Sequence, residues 1–166
     1  MATIKHARKV IDVVSCGLSQ GLGVQKPGEM CIEAAVCYAF GLPHGDAPEC
    51  VGNMVRNTKI KLNDSDWSSK EARAKGMIRI AVAQLGSNTI DQNAFAETLA
   101  ELTIRRIVPI ALRKEAIRFK GTARGKKLIQ AADRCQAEGT KDAVIAAEQN
   151  CKDGTDALRI VRYAEW

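Results

Sequence analysis

Cys31, His44 and Asp46 are residues whose types and spacing could do chemistry. A cysteine, a histidine thirteen positions on and a carboxylate two beyond that make a nucleophile, a base and an orienting group. Cys31 is expected in the first turn of a helix, where unpaired N–H groups and the helix dipole favour a thiolate. That set would serve a hydrolase or a transferase.

The same stretch offers two other readings of its cysteines. As metal ligands, Cys31, Cys37, His44 and Cys50 leave five, six and five residues between neighbours, whereas zinc ligands usually pair about two to four apart. Cys31 and Cys37 also differ by roughly 240° around a helix axis. No metal and no cofactor is therefore expected. The third reading is that the thiols are small buried apolar side chains, which suits Cys16 and Cys37 above all.

A binding reading starts from "SQGLGVQKPGEM". Gly21, Gly23 and Gly28 lead into a helix start, an arrangement that offers backbone N–H groups to an anion. Neither phosphate-loop pattern, GxxxxGK[ST] or GxGxxG, is present. Glu33, His44 and Asp46 could hydrogen-bond a base, a ribose or an amine; alternatively Glu33 is a buried paired charge and Asp46 a turn or cap residue. Trp67, directly before a helix cap, either staples that helix or stacks a nucleobase. Arg56 and Arg73 flank this segment and suit phosphate, though solvated faces explain them equally.

Nucleic acid is the reading of a separate segment. Between residues 105 and 127 stand Arg105, Arg106, Arg113, Lys114, Arg118, Lys120, Arg124, Lys126 and Lys127 against the single acid Glu115. Such a run attracts phosphate, but only Phe119 is interleaved for stacking.

Helices must position all of these groups. Residues 3 to 15 place Ile4, Ala7, Val10, Ile11 and Val14 on one face. Residues 29 to 40 are apolar nearly all round, which predicts a helix at the centre of the fold or at a subunit interface, closed by Gly41. Its internal charge, Glu33, needs a partner. A short helix is expected over 48 to 57, and the alternation in TKIKLN predicts a short strand. Ser68 with Glu71 predicts a capping box opening a helix to about Leu85. Asp91 or Thr89 caps the next, reaching about Arg106, and Pro109 opens another to 119 or kinks one long helix. Helices over 126 to 138, 140 to 151 and 155 to 164 complete the chain. The expectation is a mainly α fold with little or no sheet, a single helical domain over 1–166.

The composition agrees. The chain has 166 residues, 46% hydrophobic and only 4% aromatic, enough for a core of small and aliphatic side chains without disulfide or metal staples. No run approaches the length of a membrane span. MATIKHARKV lacks an apolar signal region, which predicts reduced cysteines in a cytoplasm. The formal net charge of +6 permits an anionic partner.

The strings PG-x-MC-x-EAA, HGD-x-P-x-C and LND-x-x-W-SS, spread over residues 20 to 88, resemble those of a family of phage and bacterial proteins. The resemblance implies a phage or bacterial setting and an accessory role such as counteracting host defence. It implies no catalytic assignment. Gln25, six residues before Cys31, resembles in its spacing the oxyanion-hole glutamine of papain-like cysteine proteases. Their histidine lies far downstream, and no histidine follows His44 here.

The leading expectation is a non-enzymatic accessory protein that binds an anionic small ligand, in its sharper form a nucleotide-type signal. The alternatives are a Cys31-dependent enzyme, a nucleic-acid binder and a protein inhibitor or adaptor.

Overall fold

The computed structural model of the protein describes residues 2–151. These form helices α1 (Ile4–Ser15), α2 (Ile32–Phe40), α3 (Asn53–Asn63), α4 (Lys70–Ala83), α5 (Gln92–Leu102), α6 (Val108–Arg118), α7 (Ala123–Glu138) and α8 (Lys141–Glu148). Among the described residues there is no β-strand, only an isolated bridge between Gly23 and Met30. The mainly α expectation holds. The helix expected over 155 to 164 lies outside the described residues. Where the sequence suggests one domain, the chain divides into two compact units, Met1–Phe95 and Ala96–Trp166.

Unit 1 is built around α2. Seven of its nine residues are buried, Glu33 among them, as a helix without a polar face requires. Val10, Val13 and Val14 of α1 and Ala74, Met77 and Ala81 of α4 belong to the same core. The helix ends at Gly41, whose φ of 70° is the left-handed C-cap conformation. Thr3 caps α1 through the His6 amide, and the His6 ring stacks on Phe40 with centroids 4.1 Å apart.

Two expectations fail here. TKIKLN is not a strand but the second half of α3. Its inward residues are Val55, Lys59 and Asn63 at helical spacing, so a buried lysine broke the apolar pattern and left a false alternation of Ile60 and Leu62. The cap of α4 is Ser69 rather than Ser68: its hydroxyl accepts from the Ala72 amide, one position later than the capping-box reading.

In unit 2, Ile104, Val108, Leu112 and Ala116 pack with Leu128, Ala132 and Cys135 of α7 and Ala143, Val144 and Ala147 of α8. Asp91 caps α5 through the Asn93 and Ala94 amides. A π turn over Thr103–Ile107 joins α5 to α6, with Pro109 in the first turn of α6. Pro109 has no N–H to give the carbonyl of Arg105, and the wider turn absorbs that missing bond.

Candidate functional site

The glycine-rich loop of unit 1 is held by three residues of the LND string and α4. The Asp64 carboxylate accepts the Gly21 amide at 2.8 Å, and the Gln20 side chain donates to the Asp64 carbonyl. The Asn63 amide donates to the Ser19 carbonyl at 2.9 Å and its oxygen accepts the Ile32 amide. Arg73, only 6% exposed, donates to the carbonyls of Asn63 at 2.7 Å and Leu18 at 2.9 Å. Arg73 is thus a structural clamp on the loop; its fork matches two carbonyls rather than a phosphate.

The loop also closes on itself. The amides of Ser19, Val24 and Cys31 donate to the carbonyls of Met30, Glu29 and Leu22. Gly23 and Gly28 have φ of 69° and 85°, and a side chain at either would run into a backbone carbonyl, of Glu29 or of Cys16. These glycines serve turns. With Gly21 donating to Asp64, the loop amides expected to cradle an anion are in large part already paired.

Cys31 sits at the N-cap of α2, not in its first turn, and its sulfur accepts the Ala34 amide at 3.4 Å. It is buried. Burial pushes its thiol up, with Glu33 and Asp46 adding to the shift against the pull of the Ala34 amide. A helix start therefore does not yield a thiolate here: desolvation outweighs the dipole. His44 bonds through Nε2 to the Gly23 carbonyl at 3.0 Å, while its Nδ1 is buried without a partner. The nucleophile–base hydrogen bond of the Cys31, His44, Asp46 reading is not formed. Asp46 and Gln25 are exposed.

Near Cys31 lies a buried ion pair, of which the sequence points to Glu33 but not to its partner. Glu33 bonds to Lys59 through Oε1, both side chains all but fully buried. Glu33 Oε2 has no partner. Burial pushes the Glu33 carboxyl up, against the pull of Lys59 and Arg56, and pushes the Lys59 ammonium down. Arg56 is half-buried with Nε unpartnered, and its charge acts on the Glu33 carboxyl. Cys37, also buried, has its thiol raised to about 11 by desolvation first and the Glu33 charge second. Among the described residues no cluster of three or more His, Cys, Asp or Glu side chains is arranged for a metal ion.

A cavity of about 40 Å³ opens at the start of α2, lined by Gly21, Leu22, Cys31, Ile32, Asp46, Ile60, Asn63 and Asp64. Two acidic residues, Asp46 and Asp64, and no Lys or Arg are among its lining residues. A void of about 10–15 Å³ already holds a water, so this one admits an ammonium-sized group and not a whole nucleotide. Trp67 stands apart: its indole donates to the Leu62 carbonyl at 2.9 Å, and its ring fills the space over Gly76. It is a packing residue, but with Ser69 as the cap it stands two residues before it and packs over Gly76 rather than stapling the first turn.

In unit 2 the basic segment separates into two groups. Arg105 pairs with Glu101 at 2.7 Å and donates to the last carbonyls of α7, including Glu138 at 2.8 Å, which caps that helix end. Arg113 reaches Asp133 and Gln136, Arg118 approaches Glu115 at 3.4 Å, and Arg124 lies 4.2 Å above the Phe119 ring. Arg106, Lys114, Lys120, Lys126 and Lys127 are exposed. An open groove of about 180 Å³ between α7 and α8 is lined in part by Lys127, Gln130, Arg134 and Asn150. Among the described residues no helix is long and apolar enough to cross a membrane. No protein-family model, curated protein or solved structure matches this chain.

Proposed function

We propose that the chain is a non-catalytic binding protein whose unit 1 seats the amino or other N–H-bearing head of a small ligand between Asp46 and Asp64. The observation that carries this is the cavity at the start of α2, with Asp46 and Asp64 among its lining residues, in a loop fixed by the Asn63, Asp64 and Arg73 bonds. A neutral, capped Cys31 and a His44 bonded to backbone supply no nucleophile–base pair. A nucleotide-type ligand fits this site through the exocyclic amine of its base, with its anionic end outside the cavity. That ligand suits the accessory role in a bacterium or infecting phage that the sequence strings imply, acting in the cytoplasm on a defence signal.

A second reading rests on the groove of unit 2. Lys127 and Arg134, with the amides of Gln130 and Asn150 beside them, favour an anionic small molecule there, although Arg134 is also bonded to Glu138.

Native mass spectrometry of the purified protein before and after denaturation tests for a retained ligand. Calorimetry with nucleosides, nucleotides, cyclic nucleotides and polyamines then sorts the sites. Binding at unit 1 should weaken about tenfold in Asp46→Asn, the loss of one charged hydrogen bond, and persist in Lys127→Ala. An affinity indifferent to Asp46→Asn, or a panel left entirely unbound, overturns the unit 1 reading. Binding lost only in Lys127→Ala, and only by phosphate-bearing compounds, replaces it with the second.

A further inference from the structure

Helix α6 is apolar on two faces. Val108, Ala111, Leu112 and Ala116 are buried in the core of unit 2. On the outward side, Ile107 at the N-cap and Ile110 and Ile117 of the helix are 49%, 64% and 73% exposed. At roughly 100° per residue the three fall within an arc of about 80°. Lys114 lies inside that arc, and Arg106, Arg113 and Arg118 flank it. No exposed acid shares the stripe, since Glu115, the acid of this helix, is buried.

We infer that this face docks an amphipathic helix of an acidic partner protein, its apolar stripe on the three isoleucines and its Asp or Glu residues on Arg106, Lys114 and Arg118. Several aligned, strongly exposed isoleucines on a folded unit mark an interaction surface. Their spacing is that of a helix-packing ridge, which takes a second helix lengthwise. Exposed Arg106, Lys114 and Arg118 set the sign of the partner, Arg113 being paired with Asp133, as flanking charges do in paired helices.

The other occupants fit less well. A second copy would bring like charges together. Nucleic acid would meet the cations but leave the isoleucines with nothing to stack or bond. A flat anionic bilayer would also meet Asp133, whose carboxylate stands 2.8 Å from Arg113 with its side chain 62% exposed; a helix of about 10 Å diameter can lie alongside it.

The test uses the whole chain and a designed peptide with leucine at its helix-packing positions and glutamate beside them. A scrambled peptide of the same composition, mixed-sequence duplex DNA and phosphatidylglycerol vesicles are run in parallel. The amphipathic peptide should bind more tightly than the scrambled one, with an affinity that falls as salt rises. Ile110→Ser with Ile117→Ser should weaken it about tenfold or more, and Lys114→Glu should weaken it further. Both serine sites are exposed, and circular dichroism checks that the fold is kept. Should the double variant unfold, hydrogen exchange of the unaltered protein reads the same question, with protection by the peptide expected over residues 106 to 118. Equal binding of the two peptides, protection elsewhere, or binding of DNA or vesicles in preference to the peptide overturns the inference.

Discussion

Replacing Lys59 with methionine removes one partner of an ion pair that has no access to water. Lys59 and Glu33 are 1% and 0% exposed. The substitution takes away the charge-assisted bond to Oε1, and Oε2 already has no partner. The carboxylate is then buried with only the pull of Arg56 opposing desolvation. Breaking such a pair costs about 3–5 kcal/mol, and the nearby Arg56 places the expected loss at the lower end. Against a total stability of about 5–15 kcal/mol this is a large effect.

Lys59→Met with Glu33→Met should recover most of the loss and come within about 1 kcal/mol of the unaltered protein, because a buried pair and an apolar pair of similar volume are close in stability. The assay is urea unfolding followed by Trp67 fluorescence in a Trp166→Phe background, which confines the signal to unit 1. The pH dependence has a definite sign. Burial raises the Glu33 carboxyl in the folded state, and losing Lys59 raises it further. Stability from a raised carboxyl is present at low pH and falls as pH rises from the unfolded value through the folded one. The deficit of Lys59→Met should therefore be smaller at pH 5 than at pH 7.5. A single variant within about 1 kcal/mol of the parent, or a double variant no better than the single, would refute this account of the pair.

Gly76→Ala should destabilise unit 1 by about 1–3 kcal/mol although helix propensity alone favours alanine by about 1 kcal/mol, because the new methyl meets the Trp67 ring; a raised melting temperature with unchanged Trp67 emission would contradict it. Arg73→Met leaves two carbonyls without their buried donors and should cost about 3 kcal/mol, with hydrogen exchange rising at Ser19 and Gly21; Arg73→Lys should recover only part, since one ammonium cannot reproduce the fork. In timed alkylation of the native protein at neutral pH, exposed Cys16 should react before Cys31 and Cys37, whose thiols burial raises; a fast Cys31 would reopen the enzyme reading.

Much of the helical framework was legible in the sequence. The four-residue spacing of Val10 and Val14, the nearly unbroken apolar surface of 32 to 40, and the stop at Gly41 are local properties of the chain, set by backbone geometry and by side chains within one or two turns. Glu33 announced a partner because an isolated buried charge is untenable. What no local pattern carried was the identity of that partner. Lys59 lies 26 residues away and reads by itself as a solvated cation, so the second half of its helix reads as a strand. The same holds for Arg73, whose two acceptors are 10 and 55 residues distant, and for Cys31, where a helix start promised a thiolate and burial by segments remote in sequence gave a neutral thiol. The cavity beside Asp46 and Asp64 joins a loop, a helix start and the end of α3, and the double-faced character of α6 emerges only from packing, which buries its valine, alanines and leucine and leaves its isoleucines outside. Periodicity and caps are short-range and survive in the sequence; desolvation and the pairing of distant charges depend on what folding brings together, and those decided the chemistry of the candidate site.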